Sequence, residues 1–130
     1  MGTTDNEKMW LKGGCHCAAI RFEVRVDTWD AVQCNCSICH MSGFEHLIVS
    51  RDGFRLLSGQ AELVTYRFNT GVARHTFCRR CGIKAFYTPR SHPDGVSVNL
   101  RCLDDVAVRA RFRLKVFDGR HWEDHIDEIR

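Results

Sequence analysis

The sequence predicts an all-β fold, and three observations lead there. Apolar and polar residues alternate with period two in several stretches, and turn-forming residues recur about every ten positions. No repeat, linker or low-complexity tract divides the chain. At 130 residues and 15.0 kDa it fits a single domain over 1–130, with a core of about 12–117. A chain of this size buries roughly two-thirds of its unfolded surface, enough for a modest core.

Taken in order, Met1 to Met9 reads as a loose lead-in, and Gly13-Gly14 lets the backbone turn beside Cys15-His16-Cys17. Ile20, Phe22, Val24 and Val26 alternate with Arg21, Glu23, Arg25 and Asp27, the pattern of a half-buried strand. Asp27 to Val32 is a connection carrying Trp29. After Cys34-Asn35-Cys36-Ser37-Ile38-Cys39, a turn or single helical turn is expected over His40 to Phe44, then a strand over Glu45 to Ser50. Phe54–Leu57, Ala61–Phe68, Ala73–Phe77, Ile83–Thr88 and Val96–Leu103 are further strands, and Pro89 to Gly95 is the longest loop. Gly82 follows Cys78-Arg79-Arg80-Cys81, where such a knuckle needs a positive φ. From Val106 to Val116 the alternation is cleanest, with Arg109, Arg111, Arg113 and Lys115 on the polar face. Trp122, Ile126 and Ile129 are spaced for one face of a short C-terminal helix.

Composition narrows the function. No apolar run approaches the ~20 residues that cross a bilayer, and the N-terminus carries no signal-peptide core, so a cytoplasmic protein is expected. There, eight cysteines point to metal rather than disulfides. The net charge of +3 is too small to argue for nucleic acid. Fifteen of the nineteen basic residues are arginine, whose fork suits carboxylates and phosphates.

Cys102 shares the parity of Val96, Val98 and Leu100 and is expected to be a small core residue. Seven thiols remain, and two partitions fit them. In one, Cys15, Cys17, Cys78 and Cys81 close a structural zinc site, and Cys34, Cys36 and Cys39 hold a second zinc with its fourth corner open. In the other, Cys36, Cys39, Cys78 and Cys81 form a zinc ribbon, which leaves three closely spaced thiols without a task. That waste favours the first partition. An open corner is the mark of a reactive metal, unless His40, beside Cys39, fills it.

Gly14-Cys15-His16-Cys17, Cys34-x-Cys36-x-x-Cys39, His46-Leu47-Ile48-Val49 and Thr76-Phe77-Cys78-x-x-Cys81-Gly82, in that order, resemble the glutathione-dependent formaldehyde-activating enzyme family, which includes centromere protein V. The resemblance runs from about Lys12 to Leu103, and the segments Phe77–Arg90 and Cys102–Asp104 look closer to the centromere branch. It implies a zinc-stabilised β-tent (MSS-four-like) of short antiparallel strands. It also implies structural ligands at Cys15, Cys17, Cys78 and Cys81, catalytic ones at Cys34, Cys36 and Cys39, and two zincs per chain. The implied activity is a carbon–sulfur lyase or synthase that forms or cleaves S-(hydroxymethyl)glutathione from glutathione and formaldehyde, or acts on a similar thiol–aldehyde pair. The alternative is a non-catalytic zinc scaffold of the centromere type, for which Arg109 to Lys115 would be a basic footprint.

A glutathione-like substrate carries two carboxylates, so Arg74, Arg79, Arg80 and Arg90 near the second knuckle are candidate partners. His46 is a candidate acid–base or metal-facing group. Binding to the metal deprotonates a thiol outright. The gain in thiolate at neutral pH is at most roughly thirtyfold, about 2 kcal/mol. Positioning of the aldehyde must supply most of the remaining rate.

Overall fold

A computed structural model describes residues 9–68 and 71–121. The elements, in chain order, are Trp10–Gly14 (β1), Arg21–Arg25 (β2), Asp30–Cys34 (β3), Ser37–Ser42 (α1), Glu45–Ser50 (β4), Phe54–Ser58 (β5), Leu63–Tyr66 (β6), His75–Cys78 (β7), Phe86–Tyr87 (β8), Gly95–Asn99 (β9), Val106–Arg109 (α2) and Arg113–Phe117 (β10). Strands dominate and the helices are single turns or little more, as the alternation predicted. Three sheets result, in the orders β1-β2-β5, β10-β3-β4-β9-β8 and β6-β7. Lone bridges at Gly13–Leu103 and Arg74–Thr88 tie them together.

The alternating inner face of β2 meets β4, most of which is buried, in the core. Ile20, Phe22, Val24, Leu47, Val98 and Leu100 are essentially inaccessible to solvent. Phe22 stacks on Phe54 and sets its edge against Phe86, at centroid distances of 5.7 and 6.2 Å. Burying one such side chain stabilises by about 1.5–3 kcal/mol. Gly13 and Gly14 lie inside β1, and neither adopts the turn conformation expected of them. Their role is close approach: a Cβ on Gly13 would sit 2.4 Å from the Cys102 carbonyl oxygen, and one on Gly14 would sit 2.2 Å from that of Ile20. The turn itself is made at Ala18, at φ 65°.

Three expectations are corrected. Asp30–Cys34 is a strand, where a connection over Asp27–Val32 was expected, and it delivers Cys34 at its end. The strands are not all antiparallel: β10 runs parallel to β3, with Phe117 opposite Cys34. A parallel pair requires a long crossover, and here nearly everything from α1 to α2 lies between the two strands. Finally, Val106–Val116 is not one strand. The Asp105 carboxylate accepts from the backbone N–H groups of Ala107 and Val108, at 2.9 and 3.3 Å, and starts a helical turn there. That turn swings Arg109 onto Glu45, a buried carboxylate, at 2.8 Å. The predicted basic face is thereby dismantled, because Arg113 pairs with Asp30 at 2.9 Å and Arg111 lies 4.1 Å over the Trp29 ring. Leu114 and Val116 are exposed on β10, an edge strand of its sheet. The helix expected around Trp122, Ile126 and Ile129 lies outside the described residues.

Candidate metal centres and the adjoining cavity

The link from β1 to β2 and the end of β7 bring four thiols together. Cys15 donates its backbone N–H to the Ile20 carbonyl at 3.1 Å, and Ala18 N–H returns to the Cys15 carbonyl at 3.1 Å. Opposite, Gly82 at φ 78° closes the other knuckle, its N–H on the Cys78 carbonyl at 2.8 Å. The sulfurs of Cys15, Cys17, Cys78 and Cys81 all lie within 4.8 Å of one another. Cys17 Sγ is 3.6 Å from Cys15 Sγ and 3.7 Å from Cys78 Sγ. A tetrahedron with metal–sulfur bonds of 2.3 Å has edges of about 3.8 Å. The donor set therefore fits a closed four-thiolate metal site.

The second cluster stands where β3 passes into α1. Cys34 ends the strand, Cys36 precedes the helix in extended backbone, and Cys39 is buried on the first turn. Their sulfurs also lie within 4.8 Å of one another, with no fourth His, Cys, Asp or Glu among the described residues joining them. The tail of β10 holds this corner. Asn35 N–H donates to the Phe117 carbonyl at 3.3 Å, Asn35 Oδ1 accepts from Arg120 N–H at 2.9 Å, and Gly119 lies directly against Cys34. Hydrogen bonds from the Cys34 and Cys39 thiols hold Cys36 far below the ordinary thiol range, and sharing that charge pushes Cys34 and Cys39 up.

A cavity of about 590 Å³ opens onto these three cysteines. Its walls include His46 of β4, His75 of β7, Tyr87 of β8, Arg90 of the long loop and Arg120. The two histidines and Tyr87 form a packed aromatic wall, with His75 stacked on Tyr87 at 4.8 Å and an interplanar angle of 13°. His46 Nδ1 lies 3.0 Å from Ser97 Oγ and 3.3 Å from the Tyr87 hydroxyl, whereas its Nε2 is buried with no hydrogen-bond partner among the described residues. Burial, reinforced by the charge of Lys84, pushes His46 down to about 3 and His75 to about 4. Both rings are neutral at neutral pH.

The family model described as glutathione-dependent formaldehyde-activating enzyme matches residues 10–119. The chain belongs to this family. A crystal structure of a Rhodobacter sphaeroides protein is similar, at 34% identity and a TM-score of 0.74, over 82% of this chain and 100% of that one. Two cysteine clusters that could hold metal ions accord with membership.

Within that family frame, the residues singled out by sequence divide. His46 and Arg90 line the cavity, but Arg74, Arg79 and Arg80 do not. Arg79 and Arg80 instead pair with Glu62, at 3.8 and 3.1 Å, on the four-cysteine side. His40 is exposed and does not join the three sulfurs. Sequence reading passed over His75, Tyr87, Lys84, Gly119 and Arg120. Each reaches the site through sheet pairing or chain return, and none carries a local motif.

His46 makes stability depend on acidity with a definite sign. Its folded value of about 3 lies below the ordinary 6.5, so the unfolded chain binds the extra proton between them. Stability is complete above about pH 6.5 and falls as the pH drops toward 3. Between pH 7 and 4, His46→Gln is expected to lose less denaturant midpoint than the native chain. Parallel urea titrations at the two pH values check this, and equal losses would assign the acid sensitivity elsewhere.

Proposed function

We propose that the chain is a zinc-dependent carbon–sulfur lyase of the S-(hydroxymethyl)glutathione synthase type, working as one cytoplasmic β-tent domain. The observation that carries this reading is the division of sulfurs: four converge at a closed site, and three converge in the wall of a roomy cavity. Cys15, Cys17, Cys78 and Cys81 would hold a structural zinc, and Cys34, Cys36 and Cys39 a catalytic one. Zinc in the three-cysteine cluster would supply Lewis acidity that keeps a substrate thiol ionised. Eight free cysteines, seven of them in these clusters, suit a reducing compartment.

The chain's own residues account for the rest. Glutathione supplies the sulfur and formaldehyde the carbon; the new C–S bond forms as the carbonyl oxygen takes up the proton that the thiol gave to solvent. Arg90 and Arg120 at the cavity wall suit the two carboxylates of glutathione. With His46 Nδ1 accepting from the Tyr87 hydroxyl, the neutral ring keeps its hydrogen on the buried Nε2 and serves to hold Tyr87 in the cavity wall. The aromatic wall excludes water from one side. Cys102 joins neither cluster and packs partly buried against the core.

The test is magnetisation-exchange NMR on zinc-replete protein with glutathione and formaldehyde, which reads interconversion above the spontaneous rate. The native chain is expected to accelerate exchange, and Cys36→Ser to lose at least about a hundredfold of that acceleration. A native chain holding two zincs and exchanging only at the spontaneous rate would overturn the reading.

A further inference from the structure

Lys84 follows the second knuckle and is half-buried, yet no carboxylate among the described residues pairs with it. Its Nζ lies 2.7 Å from His75 Nδ1, 4.0 Å over the Tyr87 ring and 5.1 Å from the centroid of Phe44. With His75 neutral, the ammonium donates to that ring nitrogen. Asn99 fixes the backbone beneath it, donating from Nδ2 to the Lys84 carbonyl at 3.2 Å. Burying an ammonium is costly without a nearby negative charge. Burial does draw Lys84 down, to about 8, against the pull of the Cys39, Cys36 and Cys34 sulfurs. Tyr87 stands between: its ring lies under the ammonium, and it lines the cavity together with Cys34, Cys36 and Cys39.

Charge counting explains the placement. Three thiolates and a divalent metal carry one net negative charge, and a fourth thiolate from a substrate makes two. The four-cysteine cluster has Arg80 beside it in the open. The three-cysteine cluster instead opens onto a cavity whose two arginines, Arg90 and Arg120, are assigned to the substrate carboxylates and whose remaining wall is largely apolar and aromatic. We propose that Lys84 is the counter-cation of the three-cysteine cluster, a positioning residue whose charge favours metal loading and the entry of a fourth, anionic sulfur. This rests on the reading of Cys34, Cys36 and Cys39 as a metal site.

The experiment loads the full chain with cobalt(II) at fixed pH and follows sulfur-to-metal charge-transfer bands, then titrates in glutathione. In Lys84→Met, affinity at the three-cysteine cluster is expected to fall about tenfold, with a matching loss in glutathione affinity, while the four-cysteine cluster is unchanged. Lys84→Arg should recover most of both losses. Equal affinities in native and Lys84→Met protein overturn the proposal, and so does equal weakening at both clusters, which would mark a folding effect. A native chain that loads only one cobalt fails the functional reading itself, a separate outcome. Should Lys84→Met not fold, lysine-selective 15N NMR of the native chain decides. The Lys84 amine is expected to hold its proton to a pH about one unit higher once metal and glutathione are bound, and no change refutes the role.

Discussion

Cys78→Ser is expected to leave the chain without a cooperative fold at 25 °C. Cys78 is fully buried, ends β7, and lies 3.7 Å from Cys17 across the junction of two sheets. Structural zinc contributes on the order of 10–16 kcal/mol of apparent binding free energy in small peptides. The net stability of a whole domain is about 5–15 kcal/mol. Losing the four-thiolate site therefore removes as much free energy as folding has to spare. Far-UV circular dichroism and a thermal melt measure it, and a strong chelator acting on the native chain should produce the same result. A melt within a few degrees of native would mean that the core alone holds the sheets.

Gly119→Ala is expected to do the opposite, sparing the fold and emptying one metal site. The added Cβ would lie 2.2 Å from Cys34 Sγ and 3.2 Å from Cys36 Cβ. Gly119 has no positive φ, so the effect is steric and not one of backbone strain. Relief requires Cys34 to rotate away from Cys36 and Cys39, which breaks the three-sulfur geometry while Cys15, Cys17, Cys78 and Cys81 stay in place. Elemental analysis should fall from two metals per chain to one, the melt should move little, and exchange activity should drop at least about a hundredfold. Two retained metals with native activity would show that the corner yields more easily than its contacts imply.

Local information was the legible part. Cysteine spacings of one and two intervening residues are set by what a knuckle can reach, so both clusters could be sorted without knowing the sheets. Strand β2 was readable because it buries alternate side chains, and β4 because it is a short apolar run ended by Arg51-Asp52-Gly53. The errors came where tertiary or capping forces overrode the pattern. The alternation of Val106–Val116 was read with period two, but the Asp105 cap and the Glu45–Arg109 pair convert its start to a helical turn. Arg79 and Arg80 adjoin cysteines in sequence, yet those cysteines belong to the cluster away from the cavity. Lys84, His75 and Tyr87 meet only because β7, β8 and β9 fold them onto one wall.

The parallel pairing of β10 with β3 also sets a schedule. On the ribosome, the closed cluster has all its ligands once Cys81 has emerged, but the corner around Cys34 waits for Phe117 and Gly119. At about 5–20 residues per second, that gap lasts on the order of seconds. A nascent chain would thus take up its scaffold ion first and seal its reactive pocket last.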